Sequence, residues 1–271
     1  MRRPERKGMA RVLIAGVLAV SITAPLATTC AQTPEERGLE ISEEADRRDT
    51  GFGDSASIMI MVLRNRHGQE TSRQMRSRIL ERLDDGDMSV IIFDDPADVK
   101  GTAFLTHTHK SPPDDQWLYL PALKRVKRIA SRNKSGPFMG SEFAYEDLAS
   151  QEIEKYTYRY LGDETFDGRD HFVIERVPVD ERSGYTRQVT WIDKDQYRVF
   201  KVEFYDRKES LLKTLTVHDY QQYLDKYWRA DRMDMVNHQT GKSTTLSWTD
   251  YRFGSGYEES DFTRNSLAKA R

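Results

Sequence analysis

Residues 55–64 read Ser-Ala-Ser-Ile-Met-Ile-Met-Val-Leu-Arg, and the six consecutive residues 58–63 are all apolar. Side chains alternate between the two faces of a β-strand, so this run places apolar groups on both faces. Such runs are typical of strands that neighbouring structure covers on both sides. The segment therefore predicts a central strand, buried on both faces, around which a larger sheet is built.

In the rest of the chain, apolar and polar residues also alternate with a period of two. In residues 71–83 the odd positions include Met75 and Ile79, while arginines occupy positions 76, 78 and 82, which predicts one buried and one wet face. Turns rich in Gly or Asp separate similar runs. The predicted strands are 55–64, 71–83, 88–93, 102–109, 117–130, 155–161, 171–177, 185–192, 198–206, 211–220, 233–238 and 243–253. About a dozen strands at this spacing indicate a barrel or a strongly curved antiparallel sheet.

Only three helices are predicted. Thr33-Pro34-Glu35-Glu36 has the capping residue, the N-terminal proline and the reciprocal glutamate of a helix start, and the helix should run to about Arg48. The other two are predicted near 143–152 and 258–268. No repeat or linker divides residues 32–271, so we expect a single α+β domain that is mostly β.

Residues 1–31 resemble a secretory signal peptide in their layout. A basic start is followed by an apolar stretch from Val12 and then by small residues around Thr29 and Ala31. Cleavage after Ala31 fits this pattern better than acylation of Cys30, because Ala27 and Thr29 depart from the lipoprotein signal. An uncleaved anchor is the remaining alternative. We expect a periplasmic protein whose mature chain begins at Gln32.

Composition excludes several classes of protein. Residues 1–31 contain five basic residues and one acidic residue, so the mature chain keeps 37 of the 42 basic and 43 of the 44 acidic residues. Its net charge of −6 disfavours nonspecific nucleic-acid binding. The mean hydropathy of −0.75 excludes a polytopic membrane protein. A single cysteine excludes both a disulfide framework and a zinc site built on several thiolates.

The sequence predicts neither an enzyme nor a metal or cofactor site. It lacks the nucleophile-elbow, phosphate-loop, dinucleotide-binding and zinc-protease motifs. His107 and His109 share a strand face, but a third ligand is not evident. Glu142, Glu146 and Asp147 are interpreted as solvated helix carboxylates, since paired carboxylates that perform hydrolysis must face each other across a cleft.

Methionine and aromatic residues are unusually frequent in the predicted strands of this polar chain. Such side chains line adaptable apolar cavities, although each of them could also belong to an ordinary packed core. A curled sheet of a dozen strands encloses more space than a few short helices fill, which favours a cavity. The predicted ligand-binding residues are Met59, Met61, Met75, Ile79, Trp117, Tyr119, Phe143, Trp191, Phe200, Phe204, Met233, Met235 and Trp248.

A second feature is a cationic run at the end of an aromatic strand. Residues 114–123 are apolar and aromatic after two aspartates, and Lys124, Arg125, Lys127 and Arg128 follow. In an acidic chain this patch could meet lipid phosphates or an acidic partner, or it could be a solvated strand end.

Several segments resemble the outer-membrane lipoprotein-sorting-like family, which is related to the LolA/LolB lipoprotein carriers. They are Gln116-Trp-Leu-Tyr-Leu-Pro through Ile129, Met139-Gly-Ser-Glu-Phe-Ala-Tyr-Glu-Asp-Leu148, Val202–Asp206 with Leu211–Leu215, and Met235–Gly241. The matches span about residues 55–265. The chain departs from the true carriers in its long basic strand and its Gly-Ser-Glu-Phe insertion. The resemblance therefore supports the predicted fold better than it supports a lipoprotein as the cargo.

The resemblance implies an incomplete antiparallel β-barrel of about 11–12 strands, with helices as a lid over an apolar cavity for acyl chains. Members often accompany export pumps of the RND/MMPL type. Two functions follow: a monomeric periplasmic carrier of lipid or lipoprotein acyl chains toward the outer membrane, or a non-carrying adaptor of such a pump. An enzyme acting on an envelope lipid is a third possibility, for which no residues are found.

Overall fold

The computed structural model describes residue 1, residues 32–111 and residues 113–269, and Gln32–Arg271 forms one compact unit. The predicted signal peptide lies outside the described residues from position 2 onward. Within the described ranges, no helix is both long and apolar enough to cross a membrane. The helices are α1 (Pro34–Asp49) and α2 (Arg264–Leu267), with 3-10 turns at Pro121–Leu123, Ser131–Asn133, Phe138–Gly140, Tyr145–Leu148, Ile153–Lys155 and Glu259–Phe262.

Thirteen strands form one antiparallel sheet that does not close into a barrel. The spatial order is β6-β5-β4-β3-β2-β1-β13-β12-β11-β10-β9-β8-β7, so almost every strand pairs with its neighbour in sequence. The strands are β1 (Asp54–Arg64), β2 (Glu70–Leu80), β3 (Met88–Asp95), β4 (Ala103–His107), β5 (Asp115–Leu120), β6 (Arg125–Arg128), β7 (Tyr156–Phe166), β8 (Arg169–Pro178), β9 (Tyr185–Asp193), β10 (Val199–Asp206), β11 (Leu211–Tyr223), β12 (Tyr227–Asn237) and β13 (Ser243–Phe253). The predicted incomplete barrel is confirmed.

The decisive strand β1 is central, as predicted, but only one of its faces is covered. Met59 and Met61 are 3% and 0% exposed, whereas Ile60 between them is 40% exposed. The prediction of burial on both faces was wrong for β1. It holds instead for β3, where Phe93 packs on one face and Ile92 on the other.

The predicted strand 117–130 is in fact a hairpin. Pro121–Leu123 forms a 3-10 turn and Lys124 adopts a left-handed conformation with φ of 47°, so the chain reverses between β5 and β6. Proline fixes φ near −65° and donates no hydrogen bond, which favours the turn over a continuous strand. The long basic strand is therefore a short outermost strand of the sheet.

Helix α1 forms as the sequence predicts. The Thr33 hydroxyl accepts a hydrogen bond from the Glu36 amide at 3.1 Å, and the Glu36 carboxylate accepts one from the Thr33 amide at 2.9 Å. A Cβ at Gly38 would lie 2.8 Å from the backbone of Arg159, so this glycine lets the helix lie directly against β7. Ile41 then packs among Tyr158, Phe172, Ile174 and Ile192.

The two faces of the sheet carry different covers. The inner face is the one that α1 and residues 134–148 cover, and it holds the largest apolar cluster, including Met61, Met75 and Phe204. The outer face of β3, β4 and β5 is covered by the C-terminal segment through Phe262 and Leu267. The predicted terminal helix 258–268 is present only as a 3-10 turn and one short helix.

Residues 134–148, which we call the plug, fill one half of the inner face. The segment folds back on itself, since the Phe138 amide donates to the Phe143 carbonyl at 2.7 Å and the Tyr145 amide to the Gly136 carbonyl at 3.1 Å. The Phe138 ring packs 5.0 Å from Phe104 and 5.9 Å from Phe93, measured between centroids. The helix predicted at 143–152 was wrong, because only Tyr145–Leu148 forms a single 3-10 turn.

Three carboxylates fasten the plug to the sheet. Asp147 pairs with Lys213 of β11 at 2.7 Å, at side-chain exposures of 7% and 4%, and it accepts a hydrogen bond from the Tyr185 hydroxyl at 2.8 Å. Glu142 accepts from the Asn237 amide group at 2.7 Å. Glu146 accepts from the Ser183 hydroxyl and the backbone amide of residue 184 at 2.8 and 2.9 Å. The sequence interpretation of these groups as solvated carboxylates was wrong.

We expect Lys213→Met to lower the free energy of unfolding by about 3–5 kcal/mol, because it leaves the Asp147 carboxylate buried without its cation. Urea denaturation measures the change. The matched control is Lys242→Met at an exposed position, for which about 0.5 kcal/mol or less is expected. The double variant Lys213→Met/Asp147→Asn should recover part of the loss. Equal, small effects of both single variants would contradict the role of this ion pair.

A candidate cavity between the first helix and the sheet

A cavity of about 600 Å³ lies between α1, the loop after β2, residues 150–153 and the inner face of the sheet. Its apolar wall is built from residues of β7 to β12 and from one residue of the 3-10 turn before β7. These apolar and aromatic lining residues are Ile153, Tyr158, Ile174, Ile192, Val199, Tyr220, Trp228 and Met233.

The plug and α1 divide the inner face between them. The plug packs over the half formed by β1 to β5 and by the parts of β10 to β13 around Phe204, Met235 and Leu246. Met61, Met75 and Met235 are all 0% exposed there. Helix α1 covers the other half only in part, since its Ile41 fills the space over β7 to β9 while Ser42 and Ala45 border the cavity. The open space is therefore the part of the half-barrel that neither cover occupies.

The residues predicted to bind ligand fall into four places. Met59, Met61, Met75, Phe143, Phe204 and Met235 are buried in the core beneath and within the plug, with Met233 and Trp248 partly buried against it. Trp117, Tyr119 and Trp191 lie on the outer face. Phe200 packs against the rings of His171 and Tyr220, and Ile79 is half-buried in β2. Among the thirteen, Met233 lines the cavity, and the ligand-binding role of the set stays a prediction.

Sequence reasoning missed most of the actual lining. Ile174 and Ile192 sit in the predicted strands 171–177 and 185–192, but buried residues occur on both faces of β8 and β9, so periodicity does not single out the face that lines the cavity. The pattern cannot tell whether a buried face meets a plug or an open space. That distinction depends on where the distant segments α1 and 134–148 settle.

Polar side chains also line the cavity. Thr190 and Trp228 are among the lining residues, and the Thr190 hydroxyl and the Trp228 indole nitrogen are buried without a hydrogen-bond partner among the described residues. The Arg198 guanidinium, paired with Asp193 at 2.6 Å, stacks 4.4 Å from the Trp228 ring. The wall is therefore amphipathic, with room for a guest that carries a few hydrogen-bonding groups.

Acidic side chains gather at the rim of the cavity. Burial, with the nearby Asp87 carboxylate next in effect, raises the pKa of Glu152 from its ordinary value of 4.5 to about 7. Burial likewise raises the pKa of Asp87 from 3.8 to about 6, with a contribution from Glu81. The charged forms are disfavoured because the groups lose water and face like charges.

The histidines singled out in the sequence have structural partners. The His107 ring nitrogen Nε2 lies 2.6 Å from the Phe262 carbonyl, and His109 Nδ1 lies 2.7 Å from the Asp85 carboxylate. No group of three or more metal-ligating side chains occurs in the part of the chain that the structure describes. These contacts tie β4 to the C-terminal segment and to the loop before β3.

The four cations of the basic run are all exposed, on β6 and in the turn that precedes it. Arg128 pairs with Asp115 of β5. The strand lies at the outermost position of the sheet, away from the residues that line the cavity.

We expect Glu152→Gln to stabilise the protein more at high pH than at low pH. A carboxyl group whose pKa is raised by folding contributes stability that is fully present below its unfolded pKa and is lost as the pH rises through its folded pKa, here between about 4.5 and 7. Near pH 8 the variant should gain about 1 kcal/mol, and near pH 4 almost nothing. Thermal unfolding at both pH values measures this. Glu154→Gln, an exposed neighbour, is the control, and a gain independent of pH would contradict the assignment.

Comparison with known structures supports this architecture. A crystal structure described as an outer membrane lipoprotein-sorting protein domain from Vibrio parahaemolyticus is 62% identical, with a TM-score of 0.85 over 86% of this chain and 99% of that chain. A DUF1329 family protein from Desulfovibrio piger is 30% identical, with a TM-score of 0.82 over 87% and 99% of the two chains.

A LolA superfamily protein from Nitrosomonas europaea shares the fold at 20% identity, with a TM-score of 0.69 over 84% of this chain and 98% of that one. A family model described only as an uncharacterized protein matches residues 85–269. No curated protein matches the chain. The identity and coverage of the two nearer structures establish the relationship: the chain belongs to the outer-membrane lipoprotein-sorting-like family and has the LolA-like fold.

Proposed function

We propose that this protein is a carrier that holds acyl chains of a lipid or lipoprotein in the cavity between α1 and the sheet. The observation that carries the proposal is the unfilled part of the inner face, whose wall on the sheet carries apolar and aromatic side chains and which α1 covers only in part. Membership of the lipoprotein-sorting-like family supports the same conclusion.

The size and lining of the cavity suit such a guest. Its volume of about 600 Å³ lies within the usual range of small-molecule sites, about 300–1,000 Å³. Each CH₂ group that leaves water for this wall contributes about 0.8 kcal/mol, so a long acyl chain gains on the order of 10 kcal/mol before the costs of association. Binding and release can therefore be governed by burial alone, without a nucleotide.

We propose further that Met233 contacts the cargo in the closed structure. The other predicted inner-face residues beneath the plug, such as Met61 and Met235, become accessible only if the plug withdraws. Cargo is delivered in the periplasm toward the outer membrane, after residues 1–31 have served as a signal peptide and residues 32–271 have folded as one carrier domain. The cations Lys124–Arg128 lie on a surface that is free to meet a headgroup or a partner.

The first test fills the cavity. Ala45→Trp adds a large side chain on the α1 face that borders the cavity, and it should weaken binding of palmitoyl lysophosphatidylethanolamine about tenfold or more by occupying the same space. Native mass spectrometry of the titrated mature protein measures the bound fraction. The matched control is Glu43→Trp, an exposed position on the same helix. If both tryptophan variants, each folded by thermal unfolding, bound lipid as the wild type does, the cavity would not be the cargo site.

A second candidate function is the non-carrying adaptor of an export system of the RND/MMPL type. It is favoured by the tight packing of the inner face beneath the plug, where Met61 and Met75 have no exposed surface. Native mass spectrometry of protein purified from envelopes separates the two functions. A stoichiometric acyl-chain adduct supports the carrier, and a lipid-free mass that does not change on titration supports the adaptor.

A further inference from the structure

The two outermost strands of the sheet differ in how they are covered. Strand β7 lies against α1, where the contact at Gly38 brings the helix onto the backbone of residues 159–160. Strand β6 at the opposite end has four residues that are all exposed. Leu123 and Val126 beside its cations are 63% and 36% exposed, so apolar surface is also accessible there.

The register shows which backbone groups of β6 point outward. The Ile129 amide donates to the Gln116 carbonyl at 2.8 Å, and β6 pairs with β5 in register from Arg128 opposite Trp117 to Arg125 opposite Leu120. Hydrogen-bonded and non-hydrogen-bonded pairs alternate along an antiparallel ladder. The N–H and C=O groups of Val126 and Arg128 therefore point away from β5, toward the open edge.

The charges on this edge restrict what can pair with it. Lys124, Arg125 and Lys127 have no ion-pair partner among residues 32–111 and 113–269, and Arg128 is bound to Asp115. Basic edge strands repel a second copy of themselves, which is one way in which proteins avoid edge-to-edge aggregation. The same charges attract a strand that carries carboxylates, because opposite charges on adjacent strands stabilise the pair.

The geometry points to strand addition at β6: an extended, acidic segment of a partner polypeptide adds to the sheet as a fourteenth strand. Its backbone pairs with the outward groups of Val126 and Arg128, and its carboxylates meet the cations at 124, 125 and 127. Main-chain hydrogen bonds then supply the binding, and the alternating side chains supply the specificity. The site is separate from the cavity, so it does not depend on the proposed carrier function.

Binding of a capped peptide of alternating glutamate and valine to the mature protein tests this inference, and a peptide with lysine in place of each glutamate is the matched control. Val126→Pro removes an outward N–H that β5 does not use and keeps every charge, as proline is tolerated on strand edges. Lys124→Glu/Lys127→Glu reverses two charges and keeps the backbone. We expect each variant to weaken binding about tenfold or more, and the lysine peptide not to bind.

Several results would overturn strand addition. Full binding by Val126→Pro would indicate charge attraction alone. Binding of the wild type to vesicles of phosphatidylglycerol and phosphatidylcholine but not to the acidic peptide would assign the surface to a membrane. If the wild type bound neither the vesicles nor the acidic peptide, strand β6 would have no ligand of either kind and the inference would be wrong. If Val126→Pro failed to fold, N-methylation of alternate amides in the peptide blocks pairing on the other side, and it should abolish binding to the wild type.

Discussion

The buried ion pair between Asp147 and Lys213 fixes the interior of this protein. A charged pair at 7% and 4% exposure is tolerated only when further groups satisfy its remaining hydrogen bonds. Here the Tyr185 hydroxyl and the Ala144 amide donate to the carboxylate, and the Glu142 carbonyl accepts from the ammonium group. The pair therefore joins the plug to β9 and β11 in one arrangement, and the apolar packing of the plug follows from it.

Because the plug is held in this way, the inner face has a packed part and an open part. Under the plug the methionines and phenylalanines form a close-packed core. Beyond the plug, α1, residues 150–153 and the loop after β2 lie over the sheet, and the cavity is the space between them and the sheet. A sheet of thirteen strands is too wide for these segments and the plug to cover completely.

The sequence predicts the sheet well because strand order here is local. Most neighbouring strands are consecutive in the chain, so each period-two run and its turn predict one pairing. The sequence analysis did not predict the reversal at Pro121, because the residues from Trp117 to Ile129 have the pattern of one strand and the left-handed conformation of Lys124 is visible only in the structure. The plug was not predicted for another reason: the carboxylates of Glu142, Glu146 and Asp147 bind partners 37 to 95 residues away in the chain. A sequence pattern with period two or 3.6 carries no information on such distant pairing.

The two ends of α1 are held to the rest of the protein by different kinds of contact. The C-terminal end is tied by directional hydrogen bonds: Glu81 accepts from the amides of Gly51 and Gly53 at 2.6 and 2.8 Å, and Lys226 donates to the Thr50 carbonyl at 2.7 Å. The N-terminal half is held mainly by packing, at Gly38 and Ile41. Apolar contact is non-directional and tolerates sliding, whereas the hydrogen bonds fix position. The α1 residues that border the cavity, from Ser42 to Asp49, lie toward the anchored end, so these hydrogen bonds hold that side of the cavity in place.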